Sequence, residues 1–208
     1  MNVIALLATV VGTAAGALID KENRWRGALI GAAAGAAVGT GIGYVLQKQK
    51  ESFDRIEYLE TRQQTVVLQQ PPQSYYEGEA VPPRESRQVQ ALNLRLQSEV
   101  LFERGSSALT PRGAEKVREI ATVLKEYPDS DVYIRGYTSS EGVDKTNFEL
   151  SQRRAEVVRN ELSAAGVNQV RLFAQGMGSS SPVASNDTES GRTQNRRVEL
   201  TIVPRSTA

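Results

Sequence analysis

Apolar residues occupy alternate positions in three stretches of the second half of the chain, 91–97, 131–137 and 197–203. A period of two is typical of a strand that buries one face. A short fourth strand is predicted near 170–175. The pattern therefore predicts a sheet of at least four strands in this half of the protein.

Two helices are predicted between these strands. In the first, Thr110 is a favourable N-cap, Pro111 is a favourable first residue, and the helix ends before Pro128. The second runs from about 144 to 165, and Gly166 supplies the left-handed residue that stops it. The order βαβαββ predicts an α+β fold with two helices on one mixed sheet. About 110 residues are enough to bury an independent core.

The first 46 residues show a different pattern, two uncharged runs separated by DKENRWR. The runs contain 17 residues (3–19) and 20 residues (27–46), close to the length that crosses a bilayer. Glycines recur at every fourth position of the second run and share one helical face: Gly27, Gly31, Gly35, Gly39 and Gly43. Such a ridge allows close helix packing in membranes. We therefore predict a membrane-associated glycine-zipper helical hairpin over 1–46, either self-packed or forming a homo-oligomer through the ridge.

Two alternatives remain open for this hairpin. The first run is also compatible with a cleaved signal peptide, since TAAGA at 13–17 offers small residues, but no positive charge precedes the run. Alternatively, Ala and Gly contribute so little transfer free energy that both runs pack against a partner instead of inserting into a membrane.

The chain becomes polar after the second apolar run. Residues 47–68 contain Phe53, Ile56 and Leu59 among Lys, Glu, Arg and Gln, and they predict a juxtamembrane helix from about 44 to 65. Residues 69–90 are rich in Pro and Gln and predict a linker, partly of polyproline II type. This linker would join the membrane segment to a domain over 91–208.

Composition removes several classes of function. The formal net charge is +1 and basic residues are mixed with acidic ones, so we expect no nucleic acid partner. The chain has no Cys and no His, which removes thiol chemistry, His bases and the usual metal ligands. The carboxylates offer no nucleophile and base at a recognisable spacing. We expect a protein that is not an enzyme and that holds no metal or cofactor.

Two adjacent arginines on the second predicted helix, Arg153 and Arg154, point in directions about 100° apart. Arg153 has Glu149 and Glu156 at ion-pair spacing, as on a solvated face. Arg154 has only apolar residues and a serine one turn away. A guanidinium at such an apolar border suits a ligand carboxylate. The pattern alone favours the other interpretation, an arginine whose stem covers the edge of the core.

Four ordered blocks of the second half resemble the OmpA-like C-terminal domain family. They are LFERGSSALTPRG (101–113), the GYT loop from residue 136, NFELSQRRA (147–155) and ASNDTESGRTQNRRVEL (184–200). The resemblance covers about 92–203. Because that family binds peptidoglycan, the resemblance implies a domain that attaches to the cell wall.

The resemblance also implies a binding site. In that family the Asp after GYT holds the ammonium of a diaminopimelate side chain, and the second Arg of the LSxRRA motif holds its carboxylate. That Arg is Arg154 here, whereas Ser139 stands at the Asp position. A neutral acceptor gives about half the strength of a charge-assisted hydrogen bond. Glu141, two residues further on, either substitutes for the Asp or is a solvated loop charge, which is the more usual role. Thr138 and Ser139 are expected to offer hydrogen bonds to the ligand, and Asn147 to fix the loop against the helix.

Two further features follow from the resemblance. Asn195 and Arg196 match family positions and are expected to brace the end of the sheet and the neighbouring loop rather than touch ligand. The glycine ridge followed by such a domain is similar to glycine-zipper envelope lipoproteins, which carry a lipidated Cys that this sequence lacks. Either the anchor is purely helical, or the given sequence omits an upstream segment.

Together these features predict a protein of the Gram-negative cell envelope, anchored in a membrane, with the outer membrane favoured and the C-terminal domain in the periplasm. Its expected partners are the membrane and peptidoglycan. Its expected function is non-covalent attachment of the outer envelope to peptidoglycan through the diaminopimelate stem peptide. The alternative is an envelope scaffold whose domain has lost wall binding because the family Asp is Ser139.

Overall fold

The protein is represented by a computed structural model that describes residues 9–11, 41–69 and 86–205. These residues contain six strands: β1 (Thr9–Val11), β2 (Glu60–Gln69), β3 (Ser86–Gln97), β4 (Ser130–Gly136), β5 (Leu172–Gly176) and β6 (Arg197–Pro204). They form one sheet in the order β1-β2-β3-β6-β4-β5. β4 and β5 are parallel, whereas the other neighbouring strands are antiparallel.

The helices of the described residues are α1 (Gly41–Phe53), α2 (Ser98–Leu101), α3 (Pro111–Glu126), α4 (Asp144–Ala164) and α5 (Glu189–Asn195). The predicted order βαβαββ is confirmed by β3, α3, β4, α4, β5 and β6. The short helix α5, which precedes β6, was not predicted. The mixed sheet with helices packed on it confirms the α+β class.

The signals predicted for the start of α3 and for the end of α4 are both found in the structure. Thr110 Oγ1 accepts a hydrogen bond from Gly113 N at 2.9 Å, and Pro111 is the first residue of α3. Gly166 follows α4 with a φ of 95°, the left-handed conformation expected just after a helix end. Local sequence chemistry therefore sets these boundaries.

The main core lies between one face of the sheet and the helices α1, α3 and α4. The residues that alternate along the predicted strands all point into it: Leu92, Leu94, Leu96, Val132, Ile134, Val198, Leu200 and Ile202. α3 contributes Val117, Ile120, Ala121 and Leu124, which recur at the spacing of one helical face. The period-two and period-3.6 patterns thus identify both sides of the core.

The predicted polar helix over 44–65 is wrong in its second half. α1 ends at Phe53, and the following residues 60–69 form β2, paired antiparallel with β3 from Glu60 opposite Arg95 to Gln69 opposite Ser86. β-Branched residues at 61 and 65–67 favour a strand, and β3 offers an edge with which to pair. The predicted linker over 69–90 is also shortened, because β3 begins at residue 86; residues 70–85 lie outside the described part.

Helix α1 packs on the domain instead of extending away from it. Leu46 and Phe53 are fully buried in the main core, and Ile56 is buried in the turn that follows. Leu46 and Phe53 lie seven residues apart on the same helical face as the buried Gln49. Phe53 and Ile56, two of the apolar residues named for this segment, therefore pack on the domain.

The predicted hairpin over 1–46 falls mostly outside the described residues, as do Gly27, Gly31, Gly35 and Gly39. Where the two overlap, Thr9–Val11 is a strand paired with residues 65–67 of β2, and not the predicted helix. Three β-branched residues in succession favour this conformation. Gly43 lies in α1. No helix within residues 41–69 and 86–205 has the length and hydropathy that a membrane span requires.

Candidate ligand-binding site

A cleft of ≈ 590 Å³ lies between the loop that follows β4, the first half of α4, the segment that follows β3, and α5. The five side chains predicted from the sequence all line it: Thr138, Ser139, Glu141, Asn147 and Arg154. The cleft also contains Ser98, Glu99, Phe102, Glu189 and Arg196. Three distant parts of the sequence thus meet at one place.

Two glycines set the position of α4 against the sheet. A Cβ on Gly136 would lie 2.3 Å from the carbonyl oxygen of Ser151, and a Cβ on Gly176 would lie 2.5 Å from the nitrogen of Gln152. Glycine is therefore required where the ends of β4 and β5 contact the helix backbone. Gln152 Oε1 also accepts a hydrogen bond from Gly176 N at 2.6 Å. Gln152 lies two residues before Arg154, so this contact fixes the distance between that part of α4 and the sheet.

Arg154 is only 4% exposed, yet no carboxylate pairs with it among the described residues. Its Nε donates to the carbonyl oxygen of Ser106 at 2.9 Å, and its Cζ lies 5.1 Å from the centre of the Phe102 ring. Burial lowers the pKa of Arg154, while Glu99 raises it and Arg196 lowers it. Arginine nonetheless keeps its charge in proteins, so the Nη groups at the cleft remain available to an anion.

The loop after β4 is held in place from two sides. Thr138 N donates to the carbonyl oxygen of Gly178 at 2.9 Å. Asn147 Nδ2 donates to the carbonyl oxygens of Ser139 at 3.4 Å and Glu141 at 2.8 Å. Asn147 thus ties the loop to α4, as the sequence analysis expected. The loop offers its side chains from a fixed backbone.

Two hydroxyl groups in the cleft are buried and have no hydrogen-bond partner in the part of the chain that the structure describes. They are Thr138 Oγ1 and Ser98 Oγ. An unsatisfied buried hydroxyl costs about 1–3 kcal/mol, so such groups are usually paired with protein, water or ligand. Both oxygen atoms are almost without accessible surface, so a polar ligand group reaches them only when the side chains beside them shift.

Glu141 is the carboxylate nearest to Ser139, whose Oγ donates to its Oε2 at 3.3 Å. Its contacts with Arg192 of α5 and with Arg196, which follows α5, are long: 3.4 Å to Arg192 Nε and 3.5 Å to Arg196 Nη1. The same two arginines approach Glu189 at 2.8 Å and 2.7 Å. Charge-assisted hydrogen bonds are usually about 2.7–2.9 Å long. Glu141 is therefore a weakly paired carboxylate at the mouth of the cleft.

Arg196 links the acidic side chains of the cleft. Its Nε lies 2.6 Å from Glu99 Oε1 and its Nη2 lies 2.7 Å from Glu189 Oε1. Burial lowers the pKa of Arg196, but its hydrogen bonds to Glu189 and Glu99 outweigh this effect, so the pKa is raised overall. Hydrogen bonds from Arg196 and Arg192 lower the pKa of Glu189. The ion pairs of Arg196 with Glu99 and Glu189 hold α5 against α2.

The sequence analysis missed part of this cleft. Ser98, Glu99 and Phe102 belong to the short helix α2 and its end, and no periodic pattern marks them. Asn195 braces the loop as expected, since its Oδ1 accepts from Val183 N at 2.8 Å and Ala184 N at 3.0 Å. Arg196, which was expected only to brace the sheet end, also lines the cleft.

Comparison with known proteins identifies the family. The model of the OmpA family matches residues 101–196, which include α3, the loop after β4 and α4. "Probable lipoprotein YiaD" of Escherichia coli (strain K12) is 39% identical over 200 residues, which are 95% of this chain and 81% of that protein. The chain belongs to the OmpA family.

Two other similar proteins match about half of the chain. "Peptidoglycan-binding protein ArfA" of Mycobacterium tuberculosis (strain ATCC 25618 / H37Rv) is 38% identical over 112 residues, 54% of this chain and 34% of that protein. The solved structure of the cell wall anchor of the T6SS from Pseudomonas aeruginosa has a TM-score of 0.52 and 27% identity, and the match covers 55% of this chain and 82% of that chain.

Proposed function

We propose that this protein attaches the outer envelope of a Gram-negative bacterium to peptidoglycan without a covalent bond and without catalysis. The ligand is the diaminopimelate residue of the stem peptide, which carries an ammonium and a carboxylate at the end of its side chain. The observation that carries the proposal is the nearly buried guanidinium of Arg154, which has no counter-ion among the described residues.

Arg154 binds the carboxylate of the ligand. Its Nε is already used by the carbonyl oxygen of Ser106, which leaves the two Nη groups to form a charge-assisted contact at the cleft. The Phe102 ring beside the guanidinium and the surrounding protein exclude water, which strengthens that contact. After a small shift of the side chains beside them, the buried hydroxyls of Thr138 and Ser98 add hydrogen bonds to the same ligand.

Glu141 and Ser139 bind the ammonium of the ligand. The related domains place an Asp where this chain has Ser139, so the charge must come from another residue. Glu141 is the suitable carboxylate because its own ion pairs, at 3.4 and 3.5 Å, are long enough to be exchanged for an ammonium. Ser139 Oγ already contacts Glu141 and can donate to it or accept from the ammonium.

The relatives support this assignment. One is named a peptidoglycan-binding protein, one a probable lipoprotein, and one solved neighbour is described as a cell wall anchor. In the proposed arrangement the domain lies in the periplasm, and the glycine-rich residues 12–40, which lie outside the described part, hold the chain in the outer membrane, either alone or as a homo-oligomer.

A second candidate function is an envelope scaffold that no longer binds the wall. The replacement of the family Asp by Ser139 favours it, because it removes one charge from the ligand site. The first candidate function predicts that the protein binds isolated peptidoglycan, and the second predicts that it does not.

Co-sedimentation of the detergent-solubilised full chain with purified peptidoglycan tests the proposal. Arg154→Gln should weaken binding about tenfold or more, because the ligand carboxylate loses its charged partner. The adjacent Arg153→Gln is the matched control, since Arg153 is exposed and pairs with Glu149 at 3.9 Å, outside the cleft. Failure of the unaltered protein to sediment with peptidoglycan would support the scaffold instead.

A further inference from the structure

A second cleft, of ≈ 580 Å³, adjoins the first, because Glu189 lines both of them. Its walls are the turn between α1 and β2, the end of β3, and the outer side of α5. The turn and β3 precede residues 101–196, the part matched by the family model. Elements that precede the residues matched by the family model therefore help to form a cleft next to the first one.

The surface of the second cleft is suited to an uncharged polar ligand. Gln97, Ser190 and Gln194 present amide and hydroxyl groups, and none of these side chains hydrogen-bonds to another residue that the structure describes. Its charged groups face one another: Arg95 lies 3.8 Å from Glu60 and 3.4 Å from Glu199, and its buried Nε has no hydrogen-bond partner among the described residues. Hydroxyl and acetamido groups of a ligand would find donors and acceptors in this cleft.

Tyr58 supplies an aromatic wall in an unusual backbone conformation. It is 50% exposed and has a φ of 65°, the left-handed region that a residue with a bulky side chain rarely adopts. The Arg112 guanidinium lies over its ring, with Cζ 4.2 Å from the ring centre, and is itself 3.6 Å from Glu57. A strained position often marks a functional site, and here the strain presents an oriented aromatic ring at the rim of the cleft.

We propose that the second cleft binds an N-acetylated sugar of the glycan strand. This inference rests on the proposed function, because it requires the stem peptide in the first cleft. A stem peptide is joined to its sugar by an amide bond, so the sugar beside it carries no charge. One face of a sugar ring is apolar and suits the Tyr58 ring, while its edge groups suit Gln97, Ser190 and Gln194.

Titration of the full chain with two soluble fragments tests this inference. The first fragment is a stem tripeptide with diaminopimelate, and the second is the same tripeptide attached to its disaccharide. The second should bind roughly three- to tenfold more tightly, the range expected for one added aromatic contact. Tyr58→Asn, which tolerates the left-handed backbone, and Gln194→Ala should each reduce this gain without changing the affinity for the tripeptide.

Tyr44→Ala is the matched control, because Tyr44 is an exposed tyrosine of α1 that does not line the cleft. Equal affinities for the two fragments, or a gain that survives both Tyr58→Asn and Gln194→Ala, would overturn the sugar subsite while leaving the first site intact. A gain obtained equally with a sugar-free cross-linked peptide dimer would assign the cleft to peptide and overturn it too. Absence of tripeptide binding would instead contradict the proposed function.

Discussion

Three arginines of the domain are nearly buried, and their partners differ. Arg197 pairs with Glu199 at 2.7 Å and donates to two backbone carbonyls, and Arg171 donates to carbonyls at the end of α3 and the start of β4. Arg154 makes a single hydrogen bond within the described residues, from Nε. Buried guanidinium groups normally require several partners. This contrast identifies Arg154 as the one of the three that is suited to an external anion.

The buried pair of Arg197 and Glu199 predicts a dependence of stability on pH. Burial raises the pKa of Glu199, but the charge and hydrogen bond of Arg197, with Arg95 and Asn93, lower it below its usual value of 4.5. Because the pKa is lower in the folded than in the unfolded protein, the ionised carboxylate adds stability above about pH 4.5. That contribution is lost as the pH falls through the folded pKa.

Glu199→Gln should therefore lower the free energy of unfolding by roughly 3 kcal/mol at pH 7, where the unaltered pair is ionised. The difference between the variant and the unaltered protein should shrink below about pH 4.5. Urea unfolding between pH 7 and pH 3 measures both quantities. A difference that stays constant over this range would show that the charge of Glu199 is not its source.

At the scale of elements, the contact of α4 with the sheet predicts a coupling between stability and binding. Gly136→Ala places a Cβ 2.3 Å from the Ser151 carbonyl oxygen, so α4 must move away from β4. We expect a loss of about 1–3 kcal/mol in unfolding free energy, and weaker peptidoglycan binding because Arg154 moves with the helix. Gly166→Ala is a suitable control for lost stability, since its φ is positive, at 95°, and Gly166 does not line the cleft. Unchanged binding by a folded Gly136→Ala protein would contradict this coupling.

The sequence predicts the elements that have strong local signals and misses those decided by pairing. α3, α4 and the alternating strands follow from periodicity, the Thr110 cap and Gly166. β2 is polar enough to be mistaken for helix, and only its pairing with β3 makes it a strand. Arg154 and the loop after β4 carry motifs, whereas Ser98 and Glu99 reach the cleft only through the tertiary fold.

At the scale of the whole molecule, the folded unit begins well before residue 91. Phe53 is fully buried in the main core although it lies outside the family-matched region. Phe53→Ala should lower the free energy of unfolding by about 3–5 kcal/mol, because it leaves a large cavity. Tyr44→Ala in the same helix should change it little, since that side chain is 69% exposed. Thermal unfolding of both variants gives the comparison; equal small effects would mean that α1 packs only loosely on the domain.

The elements that precede residue 91 also contribute to the second cleft. The turn between α1 and β2 and the helix α5 form the second cleft, and α5 also borders the first. The N-terminal elements thus enlarge the surface beside the ligand site instead of merely linking it to an anchor. A chain shortened to the family-matched part would lose the second cleft.

Binding of the diaminopimelate carboxylate by Arg154 can be tested with two stem tripeptides whose affinities are compared. One contains diaminopimelate and the other contains lysine, which has the ammonium but lacks the carboxylate. For the unaltered full chain, calorimetry should show about tenfold or more weaker binding of the lysine peptide. For Arg154→Gln the two peptides should bind alike, because the interaction energy of a contacting pair vanishes when either partner is removed. A preference for diaminopimelate that persists in Arg154→Gln would contradict the claim.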